Sequence, residues 1–228
     1  LNLEEQEMFL QIATLGMKLR QACLSKAEQQ ISNQQIAIPM LAEVMKSSSA
    51  PAFSAVPVIQ IYGLAIQLYE PQVTDDIFQQ FTQTLNQHAA IFPKEEARDL
   101  LLLGINFSIK RINSGQQEYL RSCLTLFQRG LDNELLLEQG RLDALTYNNI
   151  AGIAIRLGEL DWTIDFLDSY RLKLDARSRA AVYALNKARI AYMRKTYDEA
   201  LHLLASIKDR DFIHQMSARI LQLKIYLD

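Results

Sequence analysis

Residues 186–201 read NKARIAYMRKTYDEAL, and this stretch decides the fold class. A small residue, Ala188, lies at a position where a second helix can approach closely, and Tyr197 can fill the gap beside it. Between these positions, Thr196 and Glu199 have the spacing of a capping box, which marks the start of a helix. The stretch therefore predicts two antiparallel helices joined by a short turn.

Apolar residues recur three and four positions apart along the rest of the chain, and no long stretch alternates with a period of two. All 5 Pro lie in the first 93 residues, and four of the 8 Gly, at 115, 130, 140 and 158, lie at the ends of periodic segments. We therefore predict an all-α protein. The predicted helices include one over 34–46, a single one over 53–69 and a short one over 133–139, which ends at Gly140.

The helix–turn–helix pattern recurs along the chain at intervals of about 40 residues. Seven positions before each of the four aligned turns, at Glu70, Gly115, Gly158 and Lys195, stands a small residue: Gly63, Ser108, Ala151 and Ala188. This repetition predicts a right-handed α-solenoid of stacked antiparallel helical hairpins. We expect irregular helical hairpins over 1–92 and regular repeats over 93–228, continuous with the first part.

The segments 186–192 and 196–201 resemble the tetratricopeptide repeat in their order of small residue, aromatic, turn, Tyr, acidic pair and Ala. Residues 147–167 match this pattern more loosely. The stretches 110–115 and 218–226 are similar to a group of bacterial helical-repeat proteins without assigned activity. The resemblance covers residues 95–228, and it implies a tetratricopeptide-like stack that binds a peptide in a concave groove.

Three asparagines, Asn106, Asn149 and Asn186, stand two residues before the small residue of successive repeats. In tetratricopeptide modules this position faces the groove, where an amide can donate to and accept from an extended peptide backbone. By the same register we expect further groove residues: Asn148, Gly152, Arg156, Arg189, Tyr192 and Met193. The alternative is that these amides bond the neighbouring helix and hold the repeats together.

Between residues 171 and 195 there are eight basic residues and one acid, Asp175. Besides Arg189, this basic patch contains Arg171, Lys173, Arg177, Arg179, Lys187, Arg194 and Lys195. Charges spread around a helix usually form solvated faces with neighbouring ion pairs. The alternative is a site for acidic peptide or phosphate, and this stretch would carry the binding if the chain were a nucleic-acid-binding helical repeat.

The composition bears on partners and on cellular location. The formal net charge is −2, so nucleic acid is an unlikely partner, and no apolar run approaches the roughly 18 residues of a membrane span. Two widely separated cysteines, Cys23 and Cys123, are expected to be buried reduced thiols, which favours a cytoplasmic location. The chain begins with Leu1 rather than Met, which leaves open a longer parent protein, and its oligomeric state is not indicated.

Signals of catalysis and of metal binding are missing from the sequence. It has no glycine-rich phosphate loop and no CxxC, HExxH or GxSxG motif, and its His and Cys residues do not have metal-ligand spacing. We therefore expect no enzymatic activity, no cofactor and no metal. The sequence predicts a noncatalytic scaffold that binds a protein or peptide partner.

Overall fold

The computed structural model of the chain describes residues 2–32, 37–207 and 212–228. These residues form twelve α-helices, two 3-10 turns and one hairpin of two short strands. The all-α prediction is therefore confirmed. The chain divides into two compact units, Leu1–Phe107 and Ser108–Asp228. The boundary between these units, after Phe107, falls inside the helix Lys94–Asn113. The predicted boundary at residue 93 rests on the repeat pattern and stays a prediction.

The first unit is built around α4, a helix that packs against the N-terminal helix α1 and against α5. Its helices are α1 (Leu3–Ser32), α2 (Leu41–Ser48), α3 (Pro51–Ser54), α4 (Pro57–Gln67), α5 (Asp75–His88) and α6 (Lys94–Asn113), with a 3-10 turn at Ala89–Ile91. Leu19, Ile61 and Phe81 are fully buried at its centre. Because α4 carries apolar residues on nearly all sides, it is buried by its neighbours rather than facing solvent.

The predicted helix over 53–69 is wrong in its continuity, because it is two helices, α3 and α4. Val56 between them is extended, with ψ of 118°. Proline has no N–H and disfavours a helical residue before it, so Pro57 begins α4 instead of continuing α3. A helix predicted over 34–46 begins outside the described residues, and its described part is helical only from Leu41.

The second unit is a succession of helices in which each packs on the next. Its elements are α7 (Tyr119–Asp132), β1 (Leu137–Glu138), β2 (Arg141–Leu142), α8 (Ala144–Arg156), α9 (Leu160–Tyr170), a 3-10 turn (Arg171–Lys173), α10 (Arg179–Met193), α11 (Tyr197–Ala205) and α12 (Phe212–Leu227). In addition, α8 packs on α10, and α10 packs on α12. The aligned small residues Ala151 and Ala188 are completely buried, as the close approach of helices requires.

The predicted helix over 133–139 is wrong, because the chain forms the β1–β2 hairpin there. Leu137 pairs with Leu142, and Gln139 and Gly140 both have positive φ, at 50° and 76°. Two central residues of positive φ make a type I′ turn, whose twist suits a two-residue hairpin. The run of leucines before Gly140 has helical propensity, but α7 already ends where Glu134 takes a φ of 53°.

Three helix ends of the second unit share one backbone conformation. Gly115, Gly158 and Lys195 have φ of 99°, 78° and 62°. The next amide donates in each case to a carbonyl oxygen five residues back: Gln116 to Arg111 at 3.1 Å, Glu159 to Ala154 at 3.0 Å, and Thr196 to Ala191 at 2.9 Å. This is the Schellman arrangement, in which a left-handed residue closes a helix. Three of the four aligned turns are thus structurally equivalent, whereas the fourth, at Glu70, lacks the residue of positive φ.

We predict that Lys195→Gly stabilises the protein. Lys195 holds a left-handed conformation that costs a residue with a Cβ about 1 kcal/mol, whereas glycine adopts it freely. We expect an increase of about 0.5–1 kcal/mol in the free energy of unfolding, measured by urea titration. The reverse change, Gly158→Lys, should lower it by a similar amount. A destabilising Lys195→Gly would contradict the equivalence of the turns.

We also predict that Cys23 and Cys123 react slowly in the folded protein. Both are buried and free, and burial raises the pKa of each thiol to about 12, with Asp99 adding to the effect at Cys23. Because the thiolate is the reactive form and a higher pKa leaves far less of it at pH 8, modification by Ellman's reagent should be at least about a hundredfold slower than for free cysteine. Denaturation without reductant should release two thiols, and recovery of none would contradict this structure.

Candidate partner-binding surface

Three of the predicted groove residues meet between α8 and α10. Nδ2 of Asn186 donates to Oδ1 of Asn148 at 2.6 Å and to the carbonyl oxygen of Val182 at 2.9 Å. Nη1 of Arg189 donates to Oδ1 of Asn186 at 2.9 Å. Asn186 is completely buried, so both amide hydrogens and the oxygen are engaged inside the protein. These contacts join two helices and also fix one end of the Arg189 side chain.

The charge of Arg189 lacks a counter-charge in the described part of the chain. Its side chain is half-buried, and its only hydrogen bond there goes to the neutral amide oxygen of Asn186. Burial lowers the pKa of the guanidinium, although an arginine remains protonated at neutral pH. A buried cation is costly unless it is paired. Arg189 is therefore suited to bind a carboxylate or phosphate that comes from outside the unit.

The surface around Arg189 is partly polar and partly apolar. Asn149 is half-buried and makes no side-chain hydrogen bond within the described ranges, whereas Met193 is 48% exposed. At Gly152, one turn after Asn148, no atom lies within 4 Å of the position that a Cβ would occupy. The α8–α10 surface, defined here as Asn149, Gly152, Arg189 and Met193, therefore offers an amide, a cation, an apolar side chain and open space.

Two further predicted groove residues are tied to other parts of the second unit. The hydroxyl of Tyr192 donates to a carboxylate oxygen of Asp228, and this hydrogen bond raises the pKa of the phenol. Arg156 is exposed, and its guanidinium donates to the side-chain oxygen of Gln117. Both side chains are thus held by neighbours, and neither forms a hydrogen bond with Arg189 within the described residues.

Asn106 belongs to the first unit and is exposed on α6. It borders a cleft of about 360 Å³ whose walls come from α1, α4 and α6. Tyr62 donates there to Glu96, which also pairs with Arg20 at 3.4 Å. Asn106 therefore belongs to the first unit, whereas the α8–α10 surface belongs to the second.

The basic patch is distributed over different environments. Arg179 is directed inward, where its Nη2 donates to the carbonyl oxygens of Leu172 and Leu174. Arg194 pairs with Asp161 at 2.7 Å. Three residues of the patch are exposed without a hydrogen bond or ion pair from their side chains in the described ranges: Lys173, Arg177 and Lys195. The stretch is therefore not a uniform cationic surface.

The aromatic ring of Tyr183 contacts two more cations of the basic patch. The guanidinium of Arg171 lies 4.5 Å from the ring centre of Tyr183, and the ammonium of Lys187 lies 5.9 Å from it. The hydroxyl of Tyr183 donates to Asp168, and burial with this hydrogen bond raises the pKa of the phenol to about 12. Such cation–π contacts satisfy part of the positive charge within the protein.

Sequence reasoning found Asn148, Asn186 and Arg189 as candidates, and its alternative, that the amides bond the neighbouring helix, agrees with the contact of Asn186 with Asn148. The spacing of the aligned repeats was the signal for Asn186, and a pairing of its amide with Asn148 in the preceding repeat could have been inferred from the same register. The lack of a counter-charge for Arg189 among the described residues has no sequence signal, because it depends on where acidic side chains lie in the folded chain.

Comparisons of the chain with models of protein families, with curated proteins and with solved structures found no match. None of the helices in the described ranges is long and apolar enough to cross a membrane. Among the same residues, no group of three or more His, Cys, Asp or Glu side chains is arranged to hold a metal ion.

We predict that Asn186→Ala destabilises the protein more than Asn149→Ala. The first change removes the partner of Asn148 and of Arg189, and a lost buried hydrogen-bonding group costs about 1–3 kcal/mol. Asn149 makes no side-chain hydrogen bond within the described ranges, so Asn149→Ala should change the free energy of unfolding by less than about 0.5 kcal/mol. Urea unfolding of both variants checks this, and equal losses of stability would contradict the role of the buried amide.

Proposed function

We propose that this chain is a noncatalytic protein-interaction scaffold that binds an acidic segment of a partner protein on the α8–α10 surface. The single observation that carries the proposal is the half-buried guanidinium of Arg189, which has no counter-charge within the described residues. In this proposal the carboxylate of the partner supplies that counter-charge.

We further propose that the second unit is a right-handed, tetratricopeptide-like stack of helical hairpins. Two features support this arrangement. The first helix of each hairpin packs on the first helix of the next, as α8 does on α10 and α10 on α12. The equivalent turns at Gly115, Gly158 and Lys195 also recur at the spacing of the sequence repeat. Stacks of this kind present an extended surface formed by their first helices.

Each residue of the surface has a distinct part in the proposed recognition. Arg189 binds an acidic side chain or a terminal carboxylate through charge-assisted hydrogen bonds. Asn149 donates to and accepts from the partner's backbone, and Met193 contacts an apolar side chain. Asn186 is a positioning residue, because it is enclosed by the protein and acts through Arg189.

A nucleic-acid-binding role for the basic patch has less support. Arg179 and Arg194 are occupied by carbonyl oxygens and by Asp161, and Arg171 and Lys187 lie against Tyr183. Electrostatic binding of nucleic acid requires cations that are available to phosphates. We retain this role as an outcome that the binding experiment can distinguish.

We predict that Arg189→Gln weakens binding at least about tenfold, since a hydrogen bond to a charged group contributes about 1.5–3 kcal/mol. The probe is a displayed library of random 12-residue peptides, from which we expect enrichment of Asp and Glu. The affinities of selected peptides are then measured by fluorescence anisotropy. Binding should also weaken with added salt, which screens the ionic contact.

The matched control is Arg194→Gln, which also removes one positive charge. Arg194 directly follows α10, but it is exposed and already paired with Asp161. We expect less than a twofold change in affinity. Enriched peptides without acidic residues, equal effects of the two variants, or binding of a single-stranded RNA probe in place of peptide would each contradict the proposed function.

A further inference from the structure

The N-terminal helix α1 is apolar on two opposite faces. Its buried face includes Leu15, Leu19 and Ala22, which pack into the core of the first unit. The opposite face carries four large apolar residues that solvent reaches: Leu3, Leu10, Met17 and Leu24, with exposures of 84%, 67%, 66% and 50%. A helix that is apolar on its solvent side exposes a surface typical of protein–protein contacts.

The four residues of this α1 stripe are spaced by seven positions without interruption. A period of seven keeps one apolar stripe directed at a neighbouring helix over several turns, as in a coiled coil. The helix is about 45 Å long at 1.5 Å per residue, so the stripe extends over most of its length. Ala13 is exposed near the centre of the stripe, and its small side chain permits a close approach of two helix backbones.

The charges along α1 indicate what covers this stripe. The first turns are acidic, with exposed Glu4, Glu5 and Glu7, whereas exposed Lys18 lies in the second half. Glu7 accepts a hydrogen bond from Gln11, and neither Glu7 nor Lys18 has an ion-pair partner in the described ranges. They lie on the same flank of the α1 stripe, three helical turns apart. Two antiparallel copies of α1 would bring each Glu7 close to the other copy's Lys18.

We propose that α1 pairs with α1 of a second copy of this chain, in antiparallel orientation, around a two-fold axis near Ala13 and Thr14. In that arrangement Leu3 of one copy lies near Leu24 of the other, and Leu10 lies near Met17. A parallel pairing would place the acidic first turns of the two copies together and is disfavoured by repulsion. A two-fold contact of this kind is self-complementary and closes at the dimer.

The surface beside the α1 stripe enlarges the proposed interface. Leu10 and Lys18 border a cleft of about 400 Å³ that also involves Met40, Val44 and Phe53. Met40 is 61% exposed at the start of α2. A stable interface generally buries more than about 1,000 Å². The cleft supplies apolar area that a single pair of helices would lack.

Sedimentation velocity of the full chain with reductant tests the proposal. We expect a dimer at micromolar concentration and a monomer for the double variant Leu10→Glu/Met17→Glu, with an unchanged helical circular dichroism spectrum because both side chains are exposed. The matched control is Ile220→Glu/Leu223→Glu on the exposed apolar face of α12, which should remain dimeric. A monomeric parent chain, or a dimer that survives the α1 changes, would overturn the proposal.

If the α12 control alone abolished association, the contact would lie on α12. If both double variants abolished it, a head-to-tail contact between α1 and α12 would replace the proposed pairing. Either result overturns the proposal.

A charge exchange tests the orientation separately. Lys18→Glu should raise the dissociation constant about three- to tenfold, because it places like charges together at two symmetric positions. Adding Glu7→Lys should restore the original value, since each pair again joins opposite charges. Failure of the double variant to restore association would contradict the antiparallel arrangement.

Discussion

Close contact between α8 and α10 is the constraint on which the second unit depends. Helix α8 packs on α10, and the amide of Asn186 reaches Asn148 across this contact at 2.6 Å. The aligned residue Ala188 is completely buried on the side of α10 that packs with Ala200 of α11 and Ala218 of α12. The Asn186 amide in turn fixes the guanidinium of Arg189. The proposed binding group is therefore positioned by helix packing, without any contribution from a long loop.

The electrostatics of Arg189 differ from those of the other arginines in this unit. Arg121, Arg141 and Arg194 form exposed ion pairs with Glu159, Asp175 and Asp161. Such pairs contribute little to stability and need no partner from outside. Arg189 is half-buried beside a neutral amide and has no carboxylate partner within the described residues, so its charge is incompletely compensated there. An apolar side chain would cost less there, which favours a role in binding over a role in packing.

The sequence was sufficient to predict the helical class and the aligned turns, because helical periodicity and turn residues are local signals. It failed at residues 133–139, where a run of leucines suits a helix but Gln139 and Gly140 form a hairpin turn. It also failed to separate α3 from α4, although Pro57 was visible. Both errors arose where a local break competed with an apolar pattern.

The candidate surface could be predicted only in part. The repeat register selected Asn186 and Arg189, yet it could not show that the Asn186 amide is enclosed and that Arg189 has no carboxylate partner among the described residues. Those properties depend on the distance between α8 and α10 and on the positions of acidic side chains relative to Arg189. A sequence pattern contains neither quantity.

The most direct test of the central claim is nuclear magnetic resonance of the arginine side chains. The Nε–H signals are assigned with single Arg→Lys variants and followed while an enriched acidic peptide is added. The account predicts that the signal of Arg189 moves with the binding isotherm and that the signals of Arg179 and Arg194 stay in place. Movement of Arg194 or Arg171 with a stationary Arg189 would contradict it.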